Sequence, residues 1–245
     1  MQSHVYGRLL ALAMALVAAQ PVLAQEAAPK RPWTLQTDFG FVNTSGNTST
    51  TTLNAGEKAS YTSGRWTLAQ GFGAVYGRTE GTKSAESYTA GLRADYALTP
   101  RLALYGLGGW DRNEFAGISR RFEEGAGLSL KAVVQPRTSL TLEAGAAANQ
   151  QRDLAGLSDN FASGRGALLF KQMLNAAAYF QQGAEVLQNF EDGSDTRVNS
   201  ETALVAPLSS RIAFKAGYVI RFDNQPEPGF KQTDRYLTSG LQVVF

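Results

Sequence analysis

Carboxyl groups are the first residues in this chain whose type and spacing could carry chemistry. Asp223 and Asp234 flank one polar stretch, and two carboxyls brought together can divide acid and base roles without an imidazole. Asp192-Gly193-Ser194-Asp195 offers oxygens of the kind calcium takes, although the same residues make an ordinary solvated turn. The rest is limited by composition. The 245 residues include no Cys and one His, His4, which removes thiolate zinc sites, cysteine nucleophiles and disulfide frameworks. His4 falls in a segment read below as a cleaved leader, so triads that need a histidine are excluded as well. Gly71-Phe72-Gly73 and Gly106-Leu107-Gly108-Gly109 sit inside alternating apolar stretches and not ahead of a helix, so they fail as phosphate loops. No catalytic, cofactor-binding or metal residue is expected, no cofactor is implied, and the protein is read as a non-enzyme.

The charges therefore have to be explained some other way. With 23 Lys+Arg against 21 Asp+Glu and a net charge of +2, the chain is no nucleic-acid binder. Arg8, the apolar run Leu9 to Ala19, Pro21 and the small-residue end Val22-Leu23-Ala24 follow the order of a secretory signal. Cleavage is expected after Ala24, giving a leader over 1–24, a linker over 25–32 and one domain over 33–245. The apolar run is well short of the roughly 20 residues of a spanning helix, and no later run is longer. A chain exported without such a helix can still cross a membrane as a closed β-barrel.

The elements that position the charges repeat. Arg65, Arg101, Arg137 and Arg211 each follow a short polar or Pro/Gly break and recur at a step of about 36 residues, doubled once, the length of one long β-hairpin. Inside the unit the period is two: Ile212, Phe214, Ala216, Tyr218, Ile220 and Phe222 alternate with Lys215, Gly217, Arg221 and Asp223. This pattern predicts twelve strands, at about 33–44, 51–62, 65–78, 86–98, 101–113, 120–134, 137–151, 161–173, 175–190, 197–208, 211–223 and 233–245. Odd-numbered connections, including 80–84 and 224–232, read as longer and polar, and even-numbered ones as tight turns. That asymmetry predicts an all-β, antiparallel up-and-down barrel of the outer membrane with both ends in the periplasm.

Aromatic residues choose the lipid face. Phe41, Tyr76, Tyr88, Trp110, Phe122, Phe190 and Phe222 fall on the apolar parity near the long loops. Trp33, Tyr61, Trp66, Tyr96, Phe214 and Phe245 fall on it near the tight turns. Two bands on one face make an interfacial girdle. The opposite parity then lines the lumen, with Lys58, Arg93, Lys131, Arg165, Lys171, Lys215 and Arg221 against Asp38, Asp95, Asp111, Glu123, Glu143, Glu185, Glu201, Asp223 and Asp234. Glu57 falls on the lipid parity at mid-strand, where a bulge is expected to turn it inward. Arg78, Lys83, Arg112, Arg120, Arg121, Arg152 and Lys231 gather near the outer rim; Arg78, Arg112, Arg120 and Arg121 are the candidates for contact with lipopolysaccharide phosphates.

The sequence resembles the salt-induced outer-membrane protein family over essentially all of the chain after the linker. The resemblance rests on Gly40-Phe41 with Thr44-Ser45-Gly46-Asn47-Thr48, on Gly64-Arg65-Trp66, and on Tyr105-Gly106 with Trp110-Asp111-Arg112-Asn113 and Phe115 to Arg120. Gly125-Ala126-Gly127 and Glu143-Ala144-Gly145 complete it. It implies an outer-membrane barrel without an assigned biochemical role. Leu241, Val243 and the terminal Phe245 likewise resemble the signal read by the barrel-assembly machinery. Two functions follow as expectations. One is a structural or osmotic/salt-stress envelope protein whose lumen is closed or narrowed by paired charges, and the other a narrow diffusion channel or small-solute transporter. Lumen charges interdigitated by sign favour the first, and charges segregated onto opposite walls favour the second. A soluble periplasmic barrel with an apolar interior is the third class.

Overall fold

The computed structural model describes residues 32–44 and 50–244. The leader, most of the linker and Phe245 lie outside the described residues. Twelve strands run β1 Trp33–Thr44, β2 Thr50–Ser63, β3 Trp66–Thr79, β4 Thr82–Ala97, β5 Leu102–Asn113, β6 Ile118–Val134, β7 Thr138–Asp153, β8 Ser158–Met173, β9 Tyr179–Asn189, β10 Thr196–Pro207, β11 Ile212–Asp223 and β12 Thr233–Val244. Each pairs antiparallel with its sequence neighbours, and β1 closes on β12 from Gln36↔Val244 to Phe39↔Leu241. Closure leaves no free edge, as a sheet in hydrocarbon requires.

Two connections differ from the sequence expectation. The 80–84 loop is a two-residue turn, because Glu80 and Gly81 both adopt positive φ (50° and 75°) and their twist lets β4 start at Thr82. In the other direction, β9 begins only at Tyr179. The Asn175 side chain accepts the backbone N–H groups of Ala177 and Ala178 at 2.8 and 2.7 Å, which holds 174–178 in a turn.

The polarity is inside out. The largest fully buried side chains are Gln242, Asn149 and Ser163, whereas Phe39, Phe72, Leu92, Leu104, Leu128, Leu204 and Leu241 are exposed. A soluble barrel would bury the leucines, so water is inside and lipid outside. Trp33, Tyr61, Trp66 and Phe214 are exposed at the tight-turn end and Phe41, Phe122 and Phe190 at the long-loop end. Trp66 packs on Tyr96 with ring centroids 4.9 Å apart.

The expected bulge at Glu57 does not form. Glu57 stays in unbroken register between Thr37 and Phe72, on the lipid-facing parity, and the shifts fall instead at Gly77/Arg78, Asp111/Asn113, Ile118/Arg120 and Lys131/Val133. Gln70 on β3 faces outward beside it and aims its amide nitrogen at both carboxylate oxygens from 3.4 Å, so the acid is solvated by a neighbour in place of water. Glu57→Leu is therefore expected to stabilise the barrel in bilayers by about 1 kcal/mol, since an acid on the lipid face is unfavourable there. Urea titration in vesicles checks it, and a loss of stability would show that the Gln70 contact outweighs the lipid term.

Candidate functional site

The lumen is built around one tyrosine. Tyr105 on β5 is buried at 2% exposure and lies across Gly127 of β6, its partner in the ladder, and Gly145 of β7, which is Gly127's partner in turn. Only glycines fit beneath it: an ideal Cβ on Gly145 would come within 2.6 Å of the phenol oxygen, and one on Gly127 within 2.7 Å. The ring is held between two guanidinium groups, Arg93 at 4.5 Å and Arg165 at 5.3 Å from its centroid. Arg93 donates to Asp95 at 2.8 and 2.7 Å and to Glu143 at 3.0 and 2.7 Å. Arg165 donates to the tyrosine oxygen and to Glu143, both at 2.9 Å, and to Glu185 at 2.7 Å. This node ties β4, β5, β7, β8 and β9 together across the barrel and fills that half of the lumen with charges of alternating sign.

The other half is looser. Lys215 on β11 bonds Asp38 at 3.0 Å and pairs with Glu201 at 3.3 Å, and Gln242 donates to Asp38 at 3.1 Å. Lys58 approaches Glu201 only to 3.9 Å, and 57% of its side chain is exposed, against 8% for Arg165. Beside Lys58 lies a cavity of about 220 Å³. Above it, toward the long loops, another of about 510 Å³ is lined by Asn54, Ser87 and Thr238. A further hollow of about 920 Å³ is on the outer wall among Leu92, Ala94, Gly106 and Ala126, where it faces lipid.

At the long-loop end the strands carry three inward arginines. Arg121 donates to Gln151 at 2.9 and 2.6 Å, and Gln151 donates to Glu227 of the 224–232 loop at 2.7 Å. That loop thus reaches across the mouth from the β11–β12 connection to β7. Arg197 on β10 lies 3.3 Å from Asp223, 3.6 Å from Asp195 and 4.6 Å from the centre of the Phe161 ring. Arg221 donates to Asn199 at 3.5 Å.

The structure places the charged residues named from the sequence as follows. Arg93, Asp95, Glu143, Arg165 and Glu185 meet at the tyrosine, and Lys58, Glu201 and Lys215 meet near Asp38. Asp111, Arg221 and Asp223 line the outer vestibule. Lys171 lies over the Tyr179 ring at 3.9 Å, with no ion pair among the described residues, and Lys131 is exposed near the tight-turn end of β6. Arg121 is a correction: expected at the rim facing lipid phosphates, it turns into the barrel, on the same parity as Glu123 and Gly125. Arg112 and Lys83 are occupied by Glu114, and Lys83 also by Glu86. Arg78 and Arg120 remain exposed, Arg120 directly opposite Arg152. In the 192–195 turn, Asp192 accepts from the Ser194 amide at 2.9 Å and from its hydroxyl at 2.6 Å, and Gln225 of the 224–232 loop donates to Asp192 at 2.9 Å. Sequence reasoning missed Tyr105, Arg197 and Glu227. Arg197 could have been found from its parity with Glu201; the loop residue carries no such signal.

Outside the membrane, Glu114 is held below the usual carboxylate range by Lys83, 2.9 Å away, and then by Arg112. A depressed folded value adds stability above the ordinary range, about pH 4.3, and loses it as pH falls through the folded value. Hydrogen-exchange protection of 114–117 is expected to drop below about pH 4 in the native protein. The drop should vanish in Glu114→Gln, and an unchanged pH profile in that variant would remove the carboxylate from the effect.

A family described as "Protein of unknown function, DUF481" matches residues 37–245. The chain belongs to the DUF481 family. It is 26% identical over 226 residues to the uncharacterized protein YdiY of Escherichia coli (strain K12), a match that covers 90% of this chain and 86% of that one. Among solved structures the DUF481 barrel is similar to the NanC porin, with a TM-score of 0.54 at 12% identity over 85% of this chain and 98% of the porin. It is also matched by the translocator domain of the autotransporter NalP from Neisseria meningitidis, with a TM-score of 0.45, 16% identity and coverage of 89% and 90%. The likeness to the porin is one of fold. With lipid-facing leucines, a polar interior and closure by twelve strands, this DUF481 protein is a β-barrel of the bacterial outer membrane.

Proposed function

We propose that this DUF481 barrel is a narrow diffusion channel for small polar solutes, with its passage confined to the side formed by β1–β3 and β10–β12. The observation that carries the reading is Lys58. It points inward from the middle of β2, yet most of its side chain is open to solvent beside the 220 Å³ cavity. The sealed half supports the other reading, a structural or salt-stress envelope protein, because charges of both signs interdigitate around Tyr105. A lumen that is filled on one side only supports a channel held rigid by its plugged wall. Near-balanced charge supports weak ion preference. Contact with lipopolysaccharide phosphates falls to Arg78, Arg120 and Arg152, rim groups with no carboxylate on them among the described residues.

Single-channel recording of the refolded protein in planar bilayers tests the reading. Steady small steps are expected. Lys58→Glu is expected to shift the cation-to-anion permeability ratio by about fivefold toward cations, the factor that about 1 kcal/mol of charge interaction gives. Silence from a protein that is folded and inserted would overturn the channel and leave the structural reading.

A further inference from the structure

The outer vestibule carries charged groups that the lumen ion pairs do not use. A cavity of about 90 Å³ lies beneath the 224–232 loop, roofed by Pro226 and Gln232 and floored by strand residues that include Arg197, Arg221 and Glu123. By the 10–15 Å³ that each water occupies, it has room for about six to nine non-hydrogen atoms. Arg197 is 7% exposed, and neither its Nε nor one terminal nitrogen has a hydrogen-bond partner among the described residues. Its neighbours Asp195 and Asp223 supply charge without taking those hydrogens. A buried guanidinium with two unused N–H groups is a strong oxyanion donor. Glu123, on β6 and in the same cavity, has no hydrogen bond or ion pair among the described residues. Asp223 lies 3.3 Å from Arg197, and in the ladder Asp111 is opposite Arg121 and Asp234 opposite Arg221. The lining carries four basic groups, Arg121, Arg197, Arg221 and Lys231, and four acids, Asp111, Glu123, Asp223 and Asp234. A guest with net charge is therefore unfavoured. An unused donor edge facing an unused carboxylate in a charge-balanced pocket suits a guest that carries both signs.

We propose that this vestibule binds a compact zwitterion of about six to nine non-hydrogen atoms, its carboxylate on Arg197 and its ammonium toward Glu123. The site deepens the channel reading by naming the solute class, and it rests on that reading for its purpose. The 224–232 loop covers the pocket and is tied down by Gln151 to Glu227 and by Gln225 to Asp192 at 2.9 Å, so it supplies the outer wall.

Three molecules of nearly equal size separate the alternatives: alanine carries both charges, lactate only the carboxylate, and alaninol only the ammonium. Equilibrium dialysis of each against the refolded protein in detergent reads binding without any need for conduction. Alanine is expected to bind at least about tenfold more tightly than the other two, the factor of one charge-assisted hydrogen bond. Glu123→Gln should abolish the preference for alanine over lactate while keeping lactate binding, and Arg197→Gln should abolish alanine and lactate binding together. Folding of each variant is verified by heat-modifiable migration; should Arg197→Gln fail to fold, Glu123→Gln decides alone. Equal affinities for the three, tighter binding of lactate, or no binding of alanine to folded protein would each overturn the site. Alanine binding by a barrel that does not conduct would instead keep the site and overturn the channel.

Discussion

Arg165→Met is expected to lower the stability of the folded barrel by about 3–5 kcal/mol, the cost of removing one partner from a buried ionic network. Arg165 qualifies because only 8% of its side chain is exposed and because three groups depend on it: Glu143, Glu185 and the Tyr105 oxygen. Met keeps the length and apolar bulk of the stem, so the loss reports charge and hydrogen bonds more than volume. Glu143 keeps Arg93, but Glu185 is left in the lumen wall with only the Asn199 amide, 3.1 Å away. The measurement is the urea midpoint of the refolded protein followed by heat-modifiable migration, with Arg165→Met combined with Glu185→Leu as the control. An apolar pair in place of the ion pair should recover much of the loss, since the unpaired acid is the main cost. A loss below about 1 kcal/mol would place Arg165 among solvated pairs of the surface type. The same variant also loosens the plugged half, so its conductance should exceed that of the native channel.

Much of this architecture is legible in the sequence because a barrel wall writes itself with period two. The alternation of Ile212, Phe214 and Ala216 with Lys215 and Gly217 gives strand, face and depth at once, and inside-out polarity follows from which parity carries the aromatic bands. Two kinds of fact are not legible. One is which inward groups meet, because Arg93 on β4, Glu143 on β7 and Arg165 on β8 come together only through the closure and stagger of the whole sheet. Parity gives Arg165 a direction and no partner. The other is anything that depends on a local exception. The Glu80-Gly81 turn shortens a loop through two positive φ angles, and Arg121 follows the inward parity of its strand although it lies in a basic run with Arg120. Glu57 shows the reverse failure. A rule that forbids acids on the lipid face predicts a bulge, and a glutamine on the adjacent strand makes the bulge unnecessary.

Gly145→Val is expected to be among the costliest single glycine changes in the barrel, about 3 kcal/mol or more, because it combines overpacking with loss of the central tyrosine. In the sequence, the strand glycines read equally well as places where the wall bends or as space in the lumen. The geometry separates them. A Cβ on Gly145 meets the Ala126 carbonyl oxygen at 2.3 Å, the Tyr105 oxygen at 2.6 Å and the Gly127 Cα at 2.9 Å, and the ring above cannot rise without leaving Arg93 and Arg165. A Cβ on Gly108, on β5, meets nothing within 4 Å. Gly108→Ala is therefore the internal control. It should be neutral or slightly stabilising, since alanine removes unfolded-chain freedom without a clash. If both glycines served the curvature of the wall, the two substitutions would cost similar amounts. A double variant divides the two clashes: with Tyr105→Ala in place, Gly145→Ala should cost less than it does alone, since the phenol is gone, but not nothing, since the Ala126 carbonyl oxygen remains 2.3 Å away. Additive losses would instead put the requirement in the backbone of β6 and β7, and the tyrosine would become a passenger on a close approach of two strands.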